Sequence, residues 1–268
     1  MTDIGAEKGD LLLRLAHGPD EIAACRRLRY SVFYEELGAT PLPGMAELRM
    51  DGDRFDSICD HLVVVRRTAP IVRDAIGLVD GELIGTYRLL RQEVAEAHGG
   101  FYTQAEFDIA PLIAARPGLR FLELGRSCVL KPYRTKPVVE LLWQGIWNYV
   151  RAHRVDVMLG CASLEGTDPE AHAQSLSFLA GAAAPPEWRV RAHEDRRIEM
   201  SRLPHGGIDP RKALQRLPPL IKGYLRLGCF IGDGAVIDRQ FNTIDVLIIL
   251  PVSAINARYF AHFGAPND

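Results

Sequence analysis

Within FLELGRSCVLKPYRTKP, residues 121–137, a carboxylate at Glu123 and a guanidinium at Arg126 stand three apart with Gly125 between them. In an unbroken strand the two charged side chains face opposite sides, because strand side chains alternate. A bulge at Gly125 resets that alternation, returns Glu123 and Arg126 to one face and frees a backbone N–H from the ladder. That arrangement brings a carboxylate, a guanidinium and an oxyanion donor together. The alternative is an exposed Glu/Arg pair with an incidental glycine. Downstream, Lys131, Arg134 and Lys136 occupy a loop without one acid, and the loop feeds a helix at Pro137. Free N–H groups at a helix N-terminus, together with three cations, are a place for a phosphate.

The elements that must position these residues follow from period and punctuation. LLLRLA (11–16) predicts a strand, and Pro19-Asp20 opens a helix whose stripe runs through Ile22, Cys25, Leu28, Tyr30, Val32 and Phe33. HLVVV (61–65) and ELIGTYRLL (82–90), on either side of a turn at Asp80-Gly81, predict paired strands. The segment 41–59 is polar, irregular and long enough to be a functional loop. VDVMLGCASL (155–164) is a further strand, and Asp168-Pro169 reads as the start of a helix ending near Leu179. Strands are expected near 187–193 and 196–203, then a basic helix over 210–227, a Gly/Asp turn and the apolar strand TIDVLIIL (243–250). The fold class is α+β, with a mixed, mostly antiparallel central sheet flanked by helices. The expected organisation is a core over residues 1–207 and a C-terminal extension over 208–268 that packs on the core or completes it.

Composition narrows the function classes. The chain has 268 residues, 47% hydrophobic and 25% charged, which is the globular range. It shows no signal-peptide pattern and no apolar run of about 18 residues, so a cytoplasmic protein is expected. Five cysteines without a CxxC pair fit neither a disulfide framework nor a zinc ribbon. His17, His98, His172 and His262 have no metal-ligand spacing, and no metal is expected. Net charge is -2, yet the run from Arg211 to Arg226 contains no acid. Aromatic residues suited to base stacking do not interleave it, which argues against nucleic acid. With Leu214, Leu217, Leu220, Ile221, Tyr224 and Leu225 it could instead lie on the inner face of an anionic membrane.

The order strand, bulge, basic loop, helix, strand resembles the core of the GCN5-related N-acetyltransferases (GNAT), in which an acyl-pantetheine thioester lies between two splayed strands. Arg29 and Phe33, Asp53 and Asp56, Arg88 in TYRLL, and Glu123 with Arg126 resemble the pattern of the acyl-homoserine-lactone synthases. The tryptophan those synthases carry after the Phe is replaced by EELGATPLP, and this, with the C-terminal extension, speaks against autoinducer synthesis. The chain is more similar to the bacterial ornithine N-acyltransferases, through RYSVFYEELGA, CDHLVV, GTYRLL, ELGRSCVLKPYRTKPVVELLWQGI, LGCASLEGTDP, PPLIKGYLRLG and FNTIDVLIILPV.

That resemblance implies transfer of a 3-hydroxyacyl group from acyl carrier protein to the α-amine of ornithine, giving lyso-ornithine lipid by direct amine attack. It implies no tightly bound cofactor, the donor being the 4'-phosphopantetheine thioester of the carrier. The acidic carrier matches the basic loop and the basic 211–226 run. Under this reading Glu123 is the base, directly or through a water, and the N–H near Gly125 holds the oxyanion. Arg126 and Arg88, with Arg29 and Phe33, order the surrounding network. Lys131, Arg134, Lys136, Cys161 and Ser163 meet the donor, and Asp53, Asp56 and Asp245 are alternatives for the substrate's ammonium. Cys128 and Cys161 are read as small strand residues and not as acyl-enzyme nucleophiles paired with His61 or His153. The competing reading is a non-catalytic carrier-binding module, which would not need Glu123, Arg126 and Arg88 together.

Overall fold

The computed structural model describes residues 4–67, 81–256 and Tyr259. Asp80, His262 and the expected terminal tail lie outside them. In chain order the elements are β1 (Ala6–Lys8), β2 (Leu11–Leu15), α1 (Gly18–Tyr30), a π-helical turn (Ser31–Glu36), α2 (Met45–Leu48), β3 (Asp60–Arg67), β4 (Gly81–Arg91), α3 (Gln92–Ala97), a 3-10 turn (Tyr102–Ala105), α4 (Ala110–Ala114), β5 (Phe121–Val129), α5 (Lys136–His153), β6 (Val157–Glu165), α6 (Ala173–Ala180), β7 (Arg197–Ile198), α7 (Pro210–Arg216), α8 (Pro219–Leu227), β8 (Phe230–Asp238) and β9 (Thr243–Pro251). They fall into two compact units, one of Met1–Leu90 with Leu124–Arg154, the other of Arg91–Glu123 with Val155–Pro266.

In the first unit β1, β2, β3 and β4 pair antiparallel in sequence order. The continuous run Leu62, Val63, Val64 of β3 is wholly buried, as expected of a strand covered on both faces. Each such side chain contributes roughly 1.5–3 kcal/mol. Helix α5 closes over β2 through Gly145, where a Cβ would lie 2.5 Å from Leu13 Cδ2. Its inner stripe of Val138, Leu141, Leu142, Ile146, Trp147 and Val150 is buried, while Trp143 is half-buried.

In the second unit β5 runs parallel to β6 for only three residue pairs, Phe121↔Val157 to Glu123↔Leu159. β6 then pairs antiparallel with β9 along all nine residues, from Val157↔Pro251 to Glu165↔Thr243. β8 flanks β9, and β7 flanks β8, both antiparallel. The sheet is therefore mixed and mostly antiparallel, as the pattern predicts.

Several local expectations are overturned. The stretch 187–193 forms a 3-10 turn at Pro186–Trp188 and no named strand, and only Arg197–Ile198 of 196–203 is a strand. Asp168 accepts the Glu170 N–H in a turn, and the helix starts at Ala173. The basic helix breaks at Pro218-Pro219, since a proline lacks the N–H that would continue it. FIGDGAVID, read as a turn, is β8: Gly234 at φ 89 lets the ladder shift register between Ile231 and Ala235. The segment 208–268, expected to pack on the core or complete it, supplies β8 and β9 to the second unit's sheet. Among the described residues no helix is long and apolar enough to cross a membrane.

Candidate active site

The first unit holds a buried ionic network that draws on four elements. α1 delivers Arg29, which is fully buried and pairs with Asp51 Oδ2 and Asp56 Oδ1, each at 2.7 Å. The π-helical turn that follows carries Tyr34, whose hydroxyl donates to Asp51 Oδ1 at 3.0 Å. β4 supplies Arg88, 2.7 Å from Asp53 Oδ1 and 3.4 Å from Asp56 Oδ1. β5 supplies Arg126, 3.1 Å from Asp53 Oδ2 and 3.4 Å from Asp51 Oδ2. The polar segment 41–59 thus folds its aspartates inward onto three arginines, with the Asp53 carboxylate also accepting the Phe55 N–H. Burial opposes the charge on Asp56, but Arg29 and Arg88 outweigh it and hold the carboxyl below its ordinary value. Burial and Arg126 oppose the charge on Arg88, and Asp53 with its neighbours outweighs them, so its pKa is raised. Phe33 packs beside Leu28, Val32 and Cys128 and takes no part in the ion pairs described.

The backbone of β5 departs from its expected course at Arg126, which has φ 53, and not at Gly125. A left-handed non-glycine residue costs of order 1 kcal/mol and persists only where its surroundings fix it; here the guanidinium is held by Asp51 and Asp53. The loop's cations are also less available than their spacing suggests. Arg134 makes two 2.7 Å hydrogen bonds to Glu36, and Lys136 lies 3.4 Å from Glu140. Lys131 is exposed. The acids that the loop lacks arrive from other elements.

The second unit gathers a different set. Glu123, at the last rung of the β5–β6 ladder, accepts the N–H groups of Tyr102 at 3.0 Å and Thr103 at 2.7 Å. It therefore fixes the start of the 3-10 turn, and Glu106 follows directly after that turn. The Cys161 thiol donates to Glu106 Oε2 at 3.3 Å, while Arg196, more than a third exposed, lies 3.5 Å from Oε1. Asp245, held by the Thr243 hydroxyl at 2.9 Å, is in register with Ser163. One donor atom each from Glu106, Cys161 and Asp245 lies within 4.8 Å of the others. Burial, reinforced by the charge of Asp245, pushes the Glu106 carboxyl up to about 7. Burial and the same carboxylates push the Cys161 thiol well above its ordinary value. A thiol kept protonated is a poor metal ligand and a poor nucleophile, so this set favours proton chemistry over both.

Sequence reasoning had singled out Glu123, Cys161 and Asp245 but missed Glu106, and in the first unit it missed Asp51. Asp51 was open to discovery, two residues before Asp53 in MDGDRFD; Glu106 carries no local signal. His61 and His153 go elsewhere, the first with Nε2 3.0 Å from the Asp56 carbonyl, the second with its ring tilted against Tyr149, centroids 4.2 Å apart. Ser163 is exposed and Cys161 half-buried on the part of β6 beyond Leu159.

Residues 28–144 match the Acetyltransferase (GNAT) domain family. The chain is 52% identical over 258 residues to the L-ornithine N(alpha)-acyltransferase of Agrobacterium fabrum, covering 96% of this chain and 86% of that one. It is 48% identical over 265 residues to the protein of the same name from Rhizobium meliloti, covering 98% and 88%. Among solved structures its fold is similar to that of FeeM, an N-acyl amino acid synthase from uncultured soil microbes, with TM-score 0.51, 12% identity and coverage of 93% and 97%.

Proposed function

The chain belongs to the family of L-ornithine N(alpha)-acyltransferases, and from that membership we propose that it moves a 3-hydroxyacyl group from acyl carrier protein to the α-amine of L-ornithine, giving lyso-ornithine lipid. The observation that carries the donor side of this reading is the edge of β6. Its ladder with β5 stops at Leu159, and from Gly160 to Glu165 its strand partner among the described residues is β9 alone. A strand edge of this kind accepts the amide groups of an extended pantetheine arm as an added strand would. Cys161 and Ser163 lie along it and suit contact with that arm.

A carrier-bound donor, and not a coenzyme A thioester, is favoured by the loop KPYRTKP, which offers two prolines and no glycine-rich turn to cradle a pyrophosphate. The acidic carrier has a matching surface on α7 and α8, where Arg211, Lys212, Arg216 and Arg226 are exposed. Of the apolar residues in this region Leu217, Ile221 and Tyr224 are buried, Leu220 and Leu225 are half-buried and Leu214 is exposed. Attack is direct: the amine nitrogen adds to the thioester carbon, the C–S bond breaks, and the sulfur leaves as the pantetheine thiol. Asp245 remains our candidate for the substrate's distal ammonium, whereas Asp53 and Asp56 are already engaged by arginines.

The test is to supply pure protein with matched 3-hydroxyacyl thioesters of acyl carrier protein and of coenzyme A, with ornithine, lysine and glutamine, and to identify products by mass. Nα-acylated ornithine is expected, with the carrier thioester far more efficient and its rate falling as salt rises. Equal use of both donors, insensitive to salt, overturns the carrier assignment, and acylation of another amino acid in preference overturns the acceptor.

A further inference from the structure

Deep in the second unit, Glu106 meets side chains of three strands or loops, whereas the Glu123 oxygens described are spent on backbone N–H groups. A carboxylate whose two oxygens each accept a backbone N–H is committed to holding that backbone. Glu123 does this with Tyr102 and Thr103. Those two residues open the 3-10 turn, whose last hydrogen bonds, Glu106 N–H and Phe107 N–H to the Thr103 carbonyl at 3.0 and 2.9 Å, set down Glu106. The Glu106 carboxyl in turn meets the Cys161 thiol, on the half-open part of β6 where no β5 rung covers it. We infer that Glu106 is the catalytic proton acceptor of the transfer and that Glu123 is a positioning residue, which acts by fixing the turn that carries it. This deepens the acyl-transfer reading and rests on it.

The charged and titratable groups around Glu106 fit the role. Asp245 from β9 and Asp238 from β8 disfavour its ionised form, Arg196 favours it, and Cys161 from β6 donates to it. Burial adds to the two aspartates, so the carboxyl changes charge at about 7, where a base works best. Over the reaction the nitrogen of an ornithine ammonium loses two protons. The first leaves before attack and goes to Glu106, directly or through one water, and from there to solvent. The second leaves as the N–C bond is completed and the C–S bond breaks, and it ends on the departing pantetheine sulfur.

The experiment measures kcat/KM for ornithine against pH with the wild-type protein and three variants, identifying the acyl-ornithine by mass. Because kcat/KM reports free enzyme and free substrate, a midpoint that moves with a variant belongs to the protein and not to the amine. Wild type is expected to rise through a midpoint near 7. Glu106→Gln loses that limb and falls about 10²-fold or more. Glu123→Gln falls by less and keeps the limb, because the acceptor is still present. Asp245→Asn moves the midpoint to lower pH, since one repelling charge is gone. A limb that survives Glu106→Gln or disappears in Glu123→Gln overturns the inference. Should Glu106→Gln fail to fold, an unmoved midpoint in Asp245→Asn overturns it equally. If wild type makes no acyl-ornithine, the acyl-transfer reading itself has failed, and the two failures are thereby told apart.

Discussion

The two units bury charge in opposite ways. In the first, Arg29, Arg88 and Arg126 meet Asp51, Asp53 and Asp56, three cations to three anions, with no separation among these pairs above 3.4 Å. In the second, Glu106 and Asp245 share a buried neighbourhood with a protonated thiol, and Arg196 approaches only from the surface. A balanced network sets each buried charge against its opposite and so holds shape. An unbalanced one changes protonation near neutrality and so can exchange protons with a substrate. The comparison separates scaffold from chemistry without reference to which residues lie near each other in sequence.

The strongest way to break it is Arg29→Met. Removing one fully buried cation leaves Asp51 and Asp56 short of a partner, and a loss of about 3–5 kcal/mol is expected by urea unfolding. A loss below about 1 kcal/mol would mean that the network is not the first unit's scaffold. Glu106→Gln should act in the opposite direction. The Glu106 carboxyl is raised from 4.5 to about 7, so the folded state holds a proton that the unfolded chain gives up, and stability falls as pH rises between those values. Gln removes that loss: the variant should gain up to about 3 kcal/mol at pH 8, from 1.36 kcal/mol per pKa unit, and almost nothing at pH 4. Equal gains at both pH values would show that Glu106 does not titrate as described. Asp56 has the reverse sign, its stabilisation being lost only as pH falls through a value below 3.8. The smallest effect belongs to the thiols. Cys161→Ala should keep most of the turnover, and an acyl-protein trapped by mass in wild type but not in this variant would rule out direct attack.

What could be read from the sequence follows how local its causes are. β3, β4, α5 and β9 announce themselves through apolar runs or a helical stripe. Arg29, Asp53, Asp56 and Arg88 stand out through the family resemblance and Arg126 also by its spacing from Glu123, and all five meet in one network. β8 was hidden because its glycines, which permit the shifted ladder, look like turn residues. The neutralisation of the basic loop was invisible, since Glu36 lies 98 residues before its partner Arg134. Glu106 was invisible for the same reason: nothing in AEFDIAP distinguishes it, and its character is made by Cys161, 55 residues away, and by a strand near the far end of the chain.

The pairing of β6 with β9 over nine residues also bears on how the protein is made. A ribosome that has just released β6 must add about 80 further residues before β9 emerges, which at the usual 5–20 residues per second takes roughly 4–16 s. β5 protects only three residues of β6 during that interval. The nascent chain therefore carries Ala162 and Leu164 without the strand that later lies beside them, and slower translation of the 166–242 segment lengthens the time in which a chaperone, or another unfinished copy, can reach them.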